Sequence, residues 1–138
     1  MDELKFAVIG NPVSHSLSPD IHLFFASQFQ LERYTYNKIK SNENDFERDI
    51  NDFFKNGGVG LNVTVPFKGL AYNLCDELDQ SAGLCKSVNT VLIDSGKLIG
   101  HSTDGQGLID DFLHKEITLE DSKILIIGAG GSAASIIS

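Results

Sequence analysis

A lysine and an aspartate are the residues here with the clearest capacity for chemistry. Lys68 ends the stretch NVTVPFK and Asp104 opens DGQG. Ligands of open α/β sheets bind just past the C-terminal ends of strands, which is where Lys68 would stand. A lysine whose proton affinity is lowered by burial can give or take a proton there; a solvated lysine is only a surface cation. Asp104 lies beside a turn, so it suits either a helix N-cap or a partner that orients Lys68. In VGLNVTV, Val59, Leu61, Val63 and Val65 alternate with Gly60, Asn62 and Thr64. Such a strand has one apolar face and one amide-hydroxyl face, and the second makes a polar pocket wall. Asn89, in VNT, adds another amide next to a turn.

Two further stretches offer anion sites. In SHSLSP, Ser16 and Ser18 precede an apolar helical pattern. Hydroxyls with the free amides of a helix start can bind a carboxylate or phosphate; the plainer reading is that Ser18 caps the helix. Near the end, KILII runs into GAGGSA. Gly128, Gly130 and Ala133 fit GxGxx(G/A), in which the glycines allow a tight turn and close approach of backbone to a pyrophosphate. The alternative is an ordinary strand-to-helix turn. The four histidines, His15, His22, His101 and His114, have no metal-ligand spacing, so no metal is expected. Cys75 and Cys85 form no CxxC pair and read as reduced thiols.

Strands and helices alternate around these residues. An apolar run at 4–9 predicts a buried strand. Ser18-Pro19 starts a helix carrying Ile21, Phe24, Phe25 and Phe29, and YTYNKI at 34–39 is rich in strand formers. Phe46, Ile50, Phe53 and Phe54 mark an amphipathic helix stopped by Gly57-Gly58. The strand at 59–65 ends at Pro66, and a helix is expected over about 68–78. NTVLID and KLIG form a hairpin through Ser95-Gly96. Thr103 or Asp104 caps a helix with Ile109, Phe112 and Leu113 on one face, and KILII is a last buried strand. The fold class is α/β.

The chain has 138 residues, 41% of them apolar and 22% charged, as in ordinary globular domains. Eleven basic residues against nineteen acidic ones give a net charge of −8, which disfavours nucleic acid and anionic membranes as partners. An anionic ligand must therefore be held by local donors. There is no secretory signal pattern and no apolar stretch of about 18 residues, so the location expected is cytoplasmic.

In this order, GNPVSHSLSP, NVTVPFK, VNT, TDGQG and GAGGSA resemble the shikimate dehydrogenase family, and they span residues 10–133. The resemblance implies a three-layer substrate-binding domain with a mixed, mostly parallel sheet over 1–103. A connecting helix and linker would follow over 104–121, then the first strand-turn-helix of an NADP-binding Rossmann domain over 122–138. It implies NADP-dependent, reversible reduction of 3-dehydroshikimate to shikimate in aromatic amino-acid biosynthesis. Ser16 and Ser18 would bind the substrate carboxylate, and Thr64, Asn89 and Asp104 the ring hydroxyls. Lys68, beside Asp104, would be the acid–base residue. Gly128, Ala129, Gly130, Gly131 and Ser132 would hold the cofactor pyrophosphate. A homodimer is a compatible assembly.

Two loops depart from the family, which often reads GAVNT for KSVNT here and asparagine where Ser102 stands. Family chains are longer. The expectation is thus a truncated chain, inactive by itself, whose ILII segment lacks sheet neighbours. A quinate/shikimate dehydrogenase and a non-catalytic shikimate-binding module are the alternatives.

Overall fold

A computed structural model describes residues 3–138. Six strands form one sheet in the order β2-β1-β3-β5-β6-β4. The strands are β1 (Leu4–Gly10), β2 (Tyr34–Lys40), β3 (Gly58–Val63), β4 (Glu77–Leu78), β5 (Thr90–Asp94) and β6 (Lys97–His101). β1 pairs parallel with β2 and β3, and β4 with β6; β5 runs antiparallel to both its neighbours. The sheet is therefore mixed and mostly parallel, as expected.

Side-chain alternation divides the two faces. Ala7 and Ile9 of β1, Leu61 and Val63 of β3, Val91 of β5 and Leu98 of β6 join one core. Onto it pack Phe46, Ile50 and Phe54 of α2 (Phe46–Lys55), Ala71 of α3 (Lys68–Leu74) and Ala82 of α4 (Gln80–Cys85). The other face carries Phe6, Val8, Tyr34 and Tyr36, beside α1 (Ser18–Gln28), which lies against β1 and β2. The result is three layers, with helices on both sides of the sheet.

Several expected elements form for the local reasons given. α2 buries Phe46, Ile50 and Phe54, and Gly57 just beyond it takes φ +86°, the left-handed conformation a helix end favours. Asp94 pairs with Lys97, leaving Ser95 (φ 50°) and Gly96 (φ 81°) as a two-residue hairpin turn.

Others differ. The helix expected over 68–78 stops at Leu74. The Asp76 carboxylate accepts the Leu98 amide at 2.8 Å, and the Asp76 amide donates to the Leu98 carbonyl at 2.8 Å. These bonds draw the chain into β4 alongside β6. Asp79 then caps α4, accepting the Ala82 amide at 2.7 Å. The strand expected over 59–65 is shorter. A register shift between Lys5 and Phe6 leaves Val59 opposite no β1 residue, and Val65, past the strand end, is 63% exposed.

The apolar face of α1 is also not buried: Ala26 is the helix's buried residue, while Phe24 and Phe29 are 58% and 75% exposed. Likewise α5 (Asp104–His114) buries Gly105, and Leu113 faces solvent. KILII does not form the expected strand. Residues 122–129 have no regular structure, and Leu125 and Ile127 are 84% and 91% exposed. A strand exists through its ladder partners, and among the described residues none pairs with this segment. The chain closes with α6 (Gly131–Ile137). Among the described residues no helix is long and apolar enough to cross a membrane.

Candidate active site

β1, β3 and β6 run parallel, and the segments leaving their C-terminal ends carry Ser16 and Ser18, Thr64 and Lys68, and Asp104. Asn89 reaches the same edge because β5 is antiparallel and begins there. These six sequence-predicted residues line one cavity of about 360 Å³. Position at the carboxyl ends of parallel strands is where α/β sheets bind ligands.

Each side chain is held from its backbone upward. Phe67 is 1% exposed and packs on Phe46 with ring centroids 4.9 Å apart, anchoring the turn before Lys68. The Lys68 carbonyl accepts the Val88 amide at 3.0 Å. Asn89 is bound on both sides through its backbone: its carbonyl accepts from Val63 at 2.8 Å and its amide donates to His101 at 3.0 Å.

Asp104 is the first residue of α5 but does not cap it. Its Oδ2 accepts from Lys68 Nζ at 2.5 Å and from Ser132 Oγ at 3.0 Å, and its Oδ1 accepts from Asn89 Nδ2 at 2.6 Å. Burial alone would raise the Asp104 carboxyl. The Lys68 and Asn89 hydrogen bonds, the Lys68 charge and the Ser132 hydroxyl outweigh it and hold the carboxyl below its ordinary value. Lys68 and Asp104 are 14% and 25% exposed at their side chains, so the pair is mostly withdrawn from solvent. The solvated alternative for Lys68 and the capping alternative for Asp104 are both set aside by this geometry.

Ser18 is not the N-cap of α1; it stands at the first helical position, after Leu17. Ser16 Oγ accepts the Ser18 amide at 3.3 Å and donates to Ser18 Oγ at 3.1 Å. Two hydroxyls thus meet at the mouth of α1. His22 and Asn62 line the cavity as well. Asn62 was legible as part of a polar strand face. His22 was missed as a pocket residue, although its place four residues after Ser18 puts both on one helix face. Tyr36 stacks on His22 with centroids 4.4 Å apart and donates to Asn62 Oδ1 at 2.7 Å. Burial pushes the Tyr36 phenol up to about 12, with Tyr34 adding to it and a Ser18 hydrogen bond opposing it.

The glycine turn lies beside this pair. Gly128 has φ +129°, and nothing stands within 4 Å of where a side chain on Gly130 would begin. The first intrahelical bond of α6 runs from the Ala134 amide to the Gly130 carbonyl at 3.0 Å. The amides of Gly131, Ser132 and Ala133 therefore have no partner inside the helix. The backbone is open at Gly128 and Gly130, while a side chain on Gly131 would meet Ser87 and Lys68; the segment Gly128–Ser132, with Ala129 inside it, is compatible with a phosphate-bearing group. Cys75 and Cys85 are free thiols, and burial, helped by Asp76, pushes Cys75 up to about 11.

Hydroxyls, amides, one ammonium and one carboxylate line a polar cavity at the strand ends of an α/β domain. The model of the shikimate dehydrogenase substrate binding domain matches residues 8–91, and the chain belongs to that family. It is 44% identical over 133 residues to the shikimate dehydrogenase (NADP(+)) of Acinetobacter baylyi, covering 96% of this chain and 50% of the relative. A shikimate dehydrogenase solved in complex with NADP+ is 34% identical with a TM-score of 0.91, over 97% of this chain and 46% of that one. The Thermus thermophilus enzyme solved with shikimate is 32% identical with a TM-score of 0.89, over 96% and 50%. The chain spans about half the length of the curated relatives it matches.

Proposed function

We propose that this chain carries the substrate-binding part of a shikimate dehydrogenase, reducing 3-dehydroshikimate reversibly to shikimate with NADPH. Residues 1–103 form the substrate domain, 104–121 the connection, and 122–138 the opening of the NADP-binding domain. The observation that carries this reading is the Lys68–Asp104 pair, at 2.5 Å, inside a cavity of hydroxyls and amides.

Shikimate is a carboxylate with ring hydroxyls. On a chain of net charge −8, its carboxylate needs dedicated donors, and the Ser16 and Ser18 hydroxyls supply them. Thr64, Asn89 and Asp104 bond the ring hydroxyls and fix the ring's orientation. Lys68 Nζ gives a proton to the substrate oxygen in reduction and takes it back in oxidation, with Asp104 aiming the ammonium. Gly128–Ser132 would hold NADP(H), which would supply or accept the hydride when bound.

Calorimetric titration with shikimate tests this reading. Saturable binding to the 138-residue chain, weakened in Lys68→Ala, is the expected result. Absence of heat to millimolar ligand overturns it for this chain. Turnover of shikimate with NADP+ by the chain alone is expected to be negligible.

A further inference from the structure

The Ser132 hydroxyl does not point out to the open side of the glycine turn. It accepts from Lys68 Nζ at 3.0 Å and donates to Asp104 Oδ2 at 3.0 Å. With the direct Lys68–Asp104 bond it closes a three-membered ring of hydrogen bonds. A serine hydroxyl has one proton to give; here Asp104 holds it, so the side chain has none left for another acceptor.

The neighbouring turn of α6 is fastened to the same place. Ser135 is buried, and its Oγ accepts the Gly105 amide at 2.9 Å and meets Ser102 Oγ at 2.9 Å. Gly105 follows Asp104 directly in α5. Helix α6 is thus joined to the start of α5 by two serines one turn apart, one on the Asp104 carboxylate and one on the next backbone amide.

We infer that Ser132 is a positioning residue for the Lys68–Asp104 pair: its hydroxyl orients the ammonium and carboxylate, while its backbone amide belongs to the glycine turn. This rests on the assignment of Lys68 and Asp104 as the proton-transfer pair. It assigns the two functional groups of one residue to two different sites. The chemistry at the strand ends is thereby tied to the segment where a dinucleotide phosphate would lie, and a displacement of α6 changes the electrostatics of Asp104.

The charged group facing Asp104 is Lys68 of α3; Asn89, before β5, and Ser132, of α6, are its neutral partners. Removing the hydroxyl takes one donor from the carboxylate and favours its protonated form. The test is a carbon-13 NMR pH titration of the Asp104 carboxyl in wild type, Ser132→Ala and Ser132→Thr, with Asp104→Asn to assign the signal. The Asp104 midpoint is expected to move up in Ser132→Ala and to return to the wild-type position in Ser132→Thr, which keeps the hydroxyl. An unmoved midpoint in Ser132→Ala overturns the inference. So does an equal rise in both variants, which would trace the change to packing. No ligand is added, so failure of the chain to bind shikimate would count against the proposed function and leave this result intact.

Discussion

Lys68 Nζ and Asp104 Oδ2 lie 2.5 Å apart, although 36 residues separate them. Each opens a helix: Lys68 begins α3 behind β3, and Asp104 begins α5 behind β6. The sheet sets their distance, because β5 lies between those strands and holds Asn89 at the level of both. A lysine at a helix start opposes the helix dipole, and the carboxylate beside it offsets that cost.

Breaking the pair leaves the other charge half-buried and unpaired. Lys68→Ala is expected to lower the unfolding free energy by about 1–3 kcal/mol, since the carboxylate loses its charged donor and keeps only Asn89 and Ser132. In a full-length enzyme with this site the same change lowers turnover more than it raises KM for shikimate. Urea unfolding and steady-state kinetics measure the two effects. A loss confined to KM would contradict the acid–base role.

Acid should weaken the protein through Asp104. Its folded carboxyl sits below the ordinary value of 3.8, so the stabilisation is full above that value and is lost as pH falls below it. Wild type is therefore expected to exceed Asp104→Asn in stability at neutral pH, with the gap shrinking in strong acid. Urea midpoints for both proteins across that range show it; a constant gap would refute the linkage.

Alkali acts through Tyr36, whose phenol is raised from 10.0 to about 12. The unfolded chain ionises first, so stability is expected to fall as pH rises from about 10 to 12. Tyr36→Phe is expected to reduce that slope and the late-titrating component of ultraviolet tyrosinate absorbance, leaving the smaller share of Tyr34, which burial also raises. If all tyrosines titrate together near 10, the Tyr36 phenol is not withdrawn from solvent as the structure places it.

Gly105 lies against the backbone of Ser135, and a side chain there would overlap the Ser135 carbonyl. Gly105→Ala is expected either to cost about 1–3 kcal/mol by overpacking or to release α6 from α5. Amide hydrogen exchange across residues 131–137 distinguishes the two, and unchanged protection with unchanged stability would show that α6 does not rest on Gly105.

Ile50 is fully buried at the centre of the larger core. Ile50→Ala is expected to lower stability by about 2–5 kcal/mol, measured by denaturant unfolding. A loss under about 1 kcal/mol would mean that the helices on that face pack loosely.

Local pattern made much of this fold legible. The 3.6-residue spacing of Phe46, Ile50 and Phe54 specifies α2, because those side chains need a shared apolar surface. Ser95-Gly96 specifies the β5–β6 hairpin, because both positions need positive φ. The break after Leu74 was not legible: it depends on Asp76 and Leu98 bonding each other across 22 residues. Nor was the exposure of Phe24 and Phe29, since periodicity shows which residues share a face and not whether anything covers it. KILII has strand composition but remains irregular, since propensity cannot replace a ladder partner.

Residue types and order, by themselves, determined the candidate chemistry: three hydroxyls, two amides, a lysine and an aspartate beside turns, then a glycine-rich turn. Backbone geometry enforces such features locally, so they can be read one stretch at a time. Tertiary structure alone decided that these groups share one cavity, that Asp104 faces Lys68 instead of capping its helix, and that Ser132 closes the ring between them. Those relationships depend on strand order and on where the strands end, and the pairing that sets both joins residues far apart in the chain.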